Sequence, residues 1–166
     1  MNTAYRICLI SIILLSTAAC DQLTKKVAKT ALASSNPISL FKDALRLEYA
    51  ENPGAFLSIG GSLPRPILLL FSSLMAAALM IIIVRLGIQK QRVKLATLIG
   101  LSLIAGGSIG NQIDRLLKGG VVIDFISVGI GVIRTGIFNL ADIAVLAGAS
   151  VLLLEVRKKS GKRGAV

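Results

Sequence analysis

Residues 66–84 read PILLLFSSLMAAALMIIIV, a run of nineteen without a charge between Arg65 and Arg85. As an α-helix this run would be about 28 Å long, close to the roughly 30 Å hydrocarbon core of a bilayer. Residues 95–113 form a second charge-free run of nineteen. The whole chain is 54% hydrophobic and 16% charged, whereas soluble domains are about 25% charged. The two runs therefore predict transmembrane helices in an integral membrane protein that forms one compact domain, residues 1–166.

Two less regular apolar runs lie nearer the ends of the chain. Residues 135–154 are interrupted by Asp142, and residues 7–20 form a run of only fourteen. The short first run also suits a secretory signal, and STAAC at 16–20 resembles a lipoprotein cleavage box, with Thr17 where Leu is usual. We expect a retained first helix in which Cys20 is neither cleaved nor lipidated. The four predicted spans are approximately 4–23, 66–84, 95–113 and 137–155.

The basic residues indicate the orientation of these spans. Nine of them lie in the loop 85–94 and the tail 156–166, and cytoplasmic segments carry such an excess. Both termini are therefore predicted to be cytoplasmic, with segments 24–65 and 114–136 on the outer side. Three lysines after the first span oppose this orientation, but they form the smallest cluster. Because topology and lipid headgroups account for the net charge of +11, we expect no nucleic-acid partner.

The first outer segment carries a strand signal. Apolar residues at 45, 47 and 49 alternate with charged residues at 46 and 48. Asn52-Pro53-Gly54 is a turn signal, so we expect a short amphipathic β-hairpin over 45–59 on the outer membrane surface. The predicted fold is an all-α membrane protein with four transmembrane helices and a small extracytoplasmic β-hairpin or cradle.

Composition excludes several catalytic chemistries. The chain has no histidine, which rules out Ser-His and Cys-His dyads and argues against a zinc site. Cys8 and Cys20 would lie roughly 18 Å apart on one helix, beyond disulfide reach. No spacing supports a serine–lysine protease built from Lys25 and Ser58. We expect no metal and no cofactor.

Two acidic residues lie in apolar surroundings at membrane depth. Asp124 belongs to the sequence VIDFI, and Asp142 belongs to FNLADI together with Asn139. A carboxylate at this depth costs at least a few kcal/mol, so it is a candidate functional residue. Asp124 follows Gly119-Gly120, where the chain can turn sharply, so a loop could bring it opposite Asp142.

A carboxyl pair that shares one proton is the machinery of an aspartic protease. The ionised carboxylate removes a proton from a water molecule as this attacks a carbonyl carbon, and the protonated partner donates to the developing oxyanion. Proximity makes the second ionisation costly, so one proton stays on the pair near neutral pH.

Other polar residues can support such a pair. Asn139 and Asp142 are three apart and share a helix face, and Asn111 and Asp114, next to Arg115, have the same spacing. In a helix bundle such faces point inward. Each residue also has a purely structural interpretation: Asp114 with Arg115 and Asp21 with Lys25 as interfacial ion pairs, Asp124 as a solvated loop acid, Asp142 as a helix-dipole partner, and Asn52 as a turn residue.

Two other functional classes stay open from the residues alone. A proton-coupled carrier could use Asp124 and Asp142 as a relay, although the chain is short and lacks repeated halves. An inert membrane adaptor or a lipoprotein would need neither residue.

Five short motifs resemble those of the lipoprotein signal peptidases, also called signal peptidase II. They are Asp21-Gln22 with Lys25, Asn52-Pro53-Gly54-Ala55-Phe56, Gly110-Asn111 with Asp114-Arg115, Val122-Ile123-Asp124-Phe125, and Phe138-Asn139-Leu140-Ala141-Asp142. The resemblance covers nearly the whole chain and implies a four-span aspartic protease of the bacterial inner membrane. It also implies that the chain removes signal peptides from lipid-modified prolipoproteins by cutting before the diacylglyceryl-cysteine.

The resemblance implies roles for individual residues. Asp124 and Asp142 match the catalytic pair, and Asp21, Lys25 and Asp114 match structural positions. The implied partners are lipidated prolipoproteins and membrane lipids, and we expect a monomer. The positions that match residues supporting the pair or contacting substrate are Asn52, Gly54, Asn111, Arg115 and Asn139.

Two departures from the family pattern concern the outer loops. The family usually has two small residues and then Phe after Asn-x-Gly, whereas here Phe56 and Leu57 come one place early. The gap between Asn111 and Asp124 is one residue longer than usual. These departures are expected to alter loop geometry more than chemistry.

Overall fold

The computed structural model describes residues 2–54, 64–89 and 93–163, the last six by their backbone alone. The departure at Phe56 and Leu57 therefore lies outside the described residues. The elements in chain order are α1 (Thr3–Leu32), β1 (Ile38–Leu40), β2 (Leu45–Asn52), α2 (Arg65–Ile88), α3 (Leu95–Leu117), β3 (Val122–Ile130), β4 (Ile133–Arg134) and α4 (Leu140–Arg163).

Three described helices, α1, α2 and α3, are long and apolar enough to cross a membrane. The fourth, α4, has 24 residues, but its first eighteen include Asp142, Glu155 and Arg157. It begins at Leu140 rather than at the expected 137, because Phe138 forms an isolated bridge with Ile126 in β3. The chain is thus mostly helical, with a small antiparallel sheet.

Helix α1 continues beyond Leu23, where the predicted first span ends, to Leu32. Its buried side chains recur at helical spacing through this extension and include Lys25, Ala28 and Leu32. Ala28 and Leu32 pack against Phe125 of β3 in one apolar cluster. The extension therefore fixes the sheet relative to the helices.

Helix α3 contacts each of the other three helices. Glycines allow this close packing, since a Cβ atom at Gly110 would lie 2.5 Å from the Asp21 Oδ2 atom. A Cβ atom at Gly107 would collide with the carbonyl oxygen of Ala141 at the start of α4. Small residues let membrane helices approach in this way. The glycines of α3 therefore determine how closely α1 and α4 pack against α3.

The sheet has the strand order β1-β2-β3-β4, and all neighbouring strands are antiparallel. The second arm of the expected hairpin over 45–59 lies outside the described residues. Strand β2 pairs with β1, through a turn over residues 41–44, and with β3 from the second outer segment. In the turn, Phe41, Lys42 and Asp43 all have positive φ. The Asp43 carboxylate accepts hydrogen bonds from Ser39, Arg46 and Arg134, which hold this strained backbone.

Asp124 lies in β3, not in a loop as the sequence suggested. Strand β3 is buried over residues 122–125, which explains why VIDFI lacks the alternation of a half-exposed strand. Asp124 is opposite Ala50, and Asn52 is opposite Val122. The register therefore brings the end of β2 beside the Asp124 carboxyl group.

Candidate active site

Asp142 is held by the way in which α4 begins. The Asn139 Oδ1 atom accepts a hydrogen bond from the Asp142 backbone N–H (3.0 Å), and the Asp142 Oδ2 atom accepts one from the Asn139 N–H (3.2 Å). This reciprocal pair is a capping box made by Asn and Asp instead of Ser and Glu. The three-residue spacing thus places the Asp142 carboxylate in the first turn, where the helix dipole favours negative charge.

The same asparagine reaches the second carboxyl group. The Asn139 Nδ2 group donates to the Asp124 Oδ1 atom at 2.6 Å, and Asn139 is fully buried. One side chain therefore caps the helix with its oxygen and holds Asp124 with its nitrogen. Asp124 and Asp142 form a pair bridged by Asn139, which we call the dyad.

Asn52 holds the other oxygen of Asp124. Its Nδ2 group donates to the Asp124 Oδ2 atom at 2.9 Å, and its Oδ1 atom accepts from the Gly54 N–H at 2.8 Å. The second bond is an Asx turn, so the Asn52-Pro53-Gly54 signal does turn the chain.

Asn111 and Arg115 contribute from α3. The Asn111 Nδ2 group donates to the Asp142 Oδ1 atom at 3.0 Å, so both oxygens of this carboxylate are also hydrogen-bonded. The buried Arg115 donates through an NH2 group to the Gly54 carbonyl oxygen at 3.1 Å. Its Nε group has no hydrogen-bond partner among the described residues. The structure thus brings the five expected supporting residues to the dyad.

Asp114 does not form the interfacial ion pair with Arg115 that the sequence left open. It is fully buried, and its carboxylate binds the ammonium groups of Lys25 and Lys118 instead. Lys25 also binds Asp21 at 2.7 Å, and both side chains are fully buried rather than interfacial. Lys118 was not among the residues predicted for the site, although its position four residues after Asp114 is the spacing of a helical ion pair.

Burial and charge shape the acidity of Asp124. The residue is only 2% exposed, and burial raises the pKa of its carboxyl group to about 6, assisted by the charge of Asp142. Hydrogen bonds from Asn52 and Asn139 and the charge of Lys25 act in the opposite direction. The dyad can therefore hold one proton near neutral pH, as acid–base catalysis requires.

Two cavities open beside Asp142. A cavity of about 540 Å³ lies between α2, α3 and α4, and its polar lining includes Asn111, Gln112, Arg115 and Asp142. A second, of about 400 Å³, is lined by Asp142 and apolar side chains such as Phe138 and Leu146. A peptide bond at Asp142 could thus have apolar groups on either side. Among the described residues, no group of three Cys, Asp or Glu side chains could hold a metal ion.

The chain is similar to a known family over most of its length. The sequence profile described as Signal peptidase (SPase) II matches residues 13–158. Lipoprotein signal peptidase of Chlorobium phaeobacteroides strain BS1 is 40% identical in an alignment of 144 residues, and the alignment covers 81% of this chain and 86% of that one. The enzyme of the same name from Desulforapulum autotrophicum is 34% identical over 161 residues, covering 94% and 95% of the two chains.

Solved structures resemble the fold as well. A bacterial membrane enzyme determined by the in meso method at 2.3 Å resolution superposes with a TM-score of 0.80 at 25% identity, covering 94% of this chain and 92% of that one. A second bacterial membrane enzyme, at 1.9 Å resolution, gives a TM-score of 0.72 at 25% identity, with 90% and 93% covered.

Proposed function

The chain belongs to the signal peptidase II family of lipoprotein signal peptidases, and from this premise we propose that Asp124 and Asp142 are its catalytic pair. The protein is an integral membrane aspartic protease that removes signal peptides from prolipoproteins. The observation that carries the assignment of the pair is the Asn139 bridge, which joins the buried Asp124 carboxyl group to Asp142, a lining residue of both cavities.

We assign the two carboxyl groups different roles. Asp142 is the base, because it lines both cavities and lies at the N-terminus of α4, which favours its ionised form. It takes a proton from water as the water oxygen bonds to the scissile carbonyl carbon. Asp124, which carries the shared proton, donates it to the carbonyl oxygen. The carbon–nitrogen bond then breaks as the leaving nitrogen accepts the proton from Asp142, and the carbonyl group forms again as its oxygen returns a proton to Asp124.

The cavities support a way of holding the substrate. The larger one has apolar walls from α2, α3 and α4, so it suits the apolar part of a signal peptide that enters from within the bilayer. The Arg115 Nε group can donate to a peptide carbonyl oxygen there. The apolar cavity beside Phe138 suits the acyl chains of the lipidated cysteine, which follows the cut. Asn52 and Gly54 cover the dyad from the outer side.

The helices and the basic residues support a proposal for the membrane arrangement. We propose that α4 is a fourth span, with both termini in the cytoplasm of a bacterium and the sheet outside its inner membrane. The nine basic residues in the loop 85–94 and the tail 156–166 support this orientation. Both carboxyl groups of the dyad accept hydrogen bonds from side chains of the same chain, which supports a monomer as the active unit.

Asp124→Asn and Asp142→Asn test the catalytic pair. Each should reduce cleavage of a lipidated prolipoprotein at least a hundredfold, because general acid–base catalysis contributes about 10²–10⁴-fold. Purified variants in lipid are compared with wild type by gel shift and mass spectrometry of the products. Near-normal turnover by either variant would refute the assignment.

The unlipidated form of the same precursor is the matched substrate control. We expect wild type to cut it poorly, because the cavity beside Phe138 would stay empty. Efficient cleavage of this form would show that acyl chains are not part of recognition.

A further inference from the structure

Lys25 is a fully buried lysine whose three N–H groups all have acceptors. Its Nζ atom lies 2.7 Å from the Asp21 Oδ2 atom, 3.1 Å from the Asp114 Oδ2 atom and 2.8 Å from the Asn111 Oδ1 atom. An ammonium group has three donors and no acceptor, so these contacts use all of its capacity. We call Asp21, Lys25 and Asp114 the lysine cluster.

Each carboxylate of the lysine cluster also holds the backbone next to one member of the dyad. The Asp21 Oδ1 atom accepts from the Ala141 N–H at 3.0 Å, one residue before Asp142. The Asp114 Oδ2 atom accepts from the Ile123 N–H at 3.1 Å, one residue before Asp124. The start of α4 and the buried part of β3 are thus both tied to a single ammonium group.

The third contact of Lys25 determines how Asn111 faces the dyad. Because Lys25 can only donate, the oxygen of the Asn111 amide must face it, and the Nδ2 group is left to donate to Asp142. The Asn139 Nδ2 group also donates to the Asn111 Oδ1 atom, at 3.1 Å. If the Asn111 amide were flipped, its NH2 group would face the donors of Lys25 and Asn139. Its oxygen would then face the Asp142 carboxylate, which is also an acceptor.

We propose that Lys25 is a positioning residue for catalysis: it sets the distance between the backbones that carry Asp124 and Asp142, and it orients the Asn111 amide that binds Asp142. This role rests on the proposed function of the dyad. It is more specific than support of the fold, because the contacts of Lys25 lead to both catalytic groups.

Lys25 and Arg115 are both buried cations that interact with the dyad by charge, and Lys25 is joined to Asp142 through the Asn111 amide. The charged groups around it are Asp21 from α1, Asp114 from α3 with Lys118 on the far side of that carboxylate, and Asp124 and Asp142 across the Asn111 and Asn139 amides. Its charge lowers the pKa of Asp124. Loss of Lys25 should therefore change both turnover and the pH at which the dyad works.

The experiment compares Lys25→Met with Lys29→Met in the full-length protein. Both variants remove one lysine charge from α1, but Lys29 is exposed one turn further along. Cleavage of a lipidated prolipoprotein is measured from pH 5 to pH 9, together with the melting temperature. Lys25→Met should lower kcat roughly 10- to 100-fold with KM within about threefold, as expected for misplaced catalytic groups. Its pH optimum should move upward, and Lys29→Met should match wild type.

Lys25→Arg separates charge from geometry. The guanidinium group keeps the charge but cannot reproduce the three contacts of an ammonium group. We expect the wild-type pH optimum with only partial recovery of kcat. If Lys25→Met does not fold, the double variant Asp21→Asn/Lys25→Gln replaces it, because it removes the cation without leaving Asp21 charged and unpaired.

Two results would overturn the proposal. One is a Lys25→Met enzyme with the kcat and pH profile of Lys29→Met. The other is a loss of activity that follows melting temperature while the pH profile stays that of wild type, which would make Lys25 purely structural. Failure of the proposed function looks different, because wild type would then not cut the prolipoprotein, or Asp124→Asn would.

Discussion

Asp124 is a residue whose surroundings oppose its ionisation. Its pKa is about 6 in the folded protein, above the ordinary 3.8. Between these two pH values the folded state binds the proton more tightly than the unfolded state does. The stabilising contribution of the protonated group is therefore fully present below about pH 4 and is lost as pH rises through 6.

Asp124→Asn should consequently stabilise the protein at pH 7.5 while it abolishes activity. A shift of about two pKa units corresponds to about 3 kcal/mol. The gain should be about 1–3 kcal/mol, because the new amide N–H would face a donor, either Asn52 or Asn139. The measurement is the melting temperature of both proteins from pH 4.5 to pH 7.5. A difference that does not grow with pH would contradict the raised pKa.

Arg115 donates to the Gly54 carbonyl oxygen, and its Nε group has no hydrogen-bond partner in the part of the chain that the structure describes. Arg115→Ala should slow cleavage roughly five- to hundredfold, equivalent to about 1–3 kcal/mol of lost transition-state hydrogen bonding, without moving the cut site. Arg157→Ala, at an exposed position of α4, is the matched control. Unchanged kcat/KM in Arg115→Ala would remove Arg115 from the substrate contacts.

The site was more predictable at some residues than at others. Helical spacing alone places Asn139 and Asp142 together, and the structure shows why: the pair forms a local capping box. The burial of Lys25 could not be read from α1, because its partners Asn111 and Asp114 come from α3. Within its own segment, a lysine that follows an apolar run indicates only the end of a membrane span.

At the scale of elements, the close approach of α3 and α4 determines where Asp142 lies. Gly107→Ala should reduce activity at least tenfold, because the new methyl group would collide with the Ala141 carbonyl oxygen and displace the first turn of α4. Gly87→Ala is the control, since its nearest neighbour is the flexible end of Ile10 at 3.2 Å. Both are measured for kcat and melting temperature. Full activity in Gly107→Ala would show that the first turn of α4 can shift without a loss of catalysis.

The helices were easier to predict than the sheet. Charge-free runs indicate α2 and α3 because bilayer thickness fixes their length. The extension of α1 to Leu32 carries lysines that resemble a loop, and its helical form depends on packing against Phe125. The turn over residues 41–44 contains no glycine, and the long-range pairing of β2 with β3 leaves no local signal.

At the scale of the whole molecule, the remaining prediction is its orientation. After Cys8 and Cys20 are replaced by Ala, single cysteines are placed at Gln89, just after α2, and at Val132, the fully exposed tip of the β3–β4 hairpin. In intact spheroplasts a membrane-impermeant maleimide should label Val132→Cys but leave Gln89→Cys unlabelled until the membrane is permeabilised. We expect this because the nine basic residues in the loop 85–94 and the tail favour a cytoplasmic position for both, and the proposed orientation puts the sheet on the outer side. Labelling of both sites in permeabilised cells is the control for reactivity. Ready labelling of Gln89→Cys in intact spheroplasts, with Val132→Cys protected, would invert the topology and place the dyad on the cytoplasmic side.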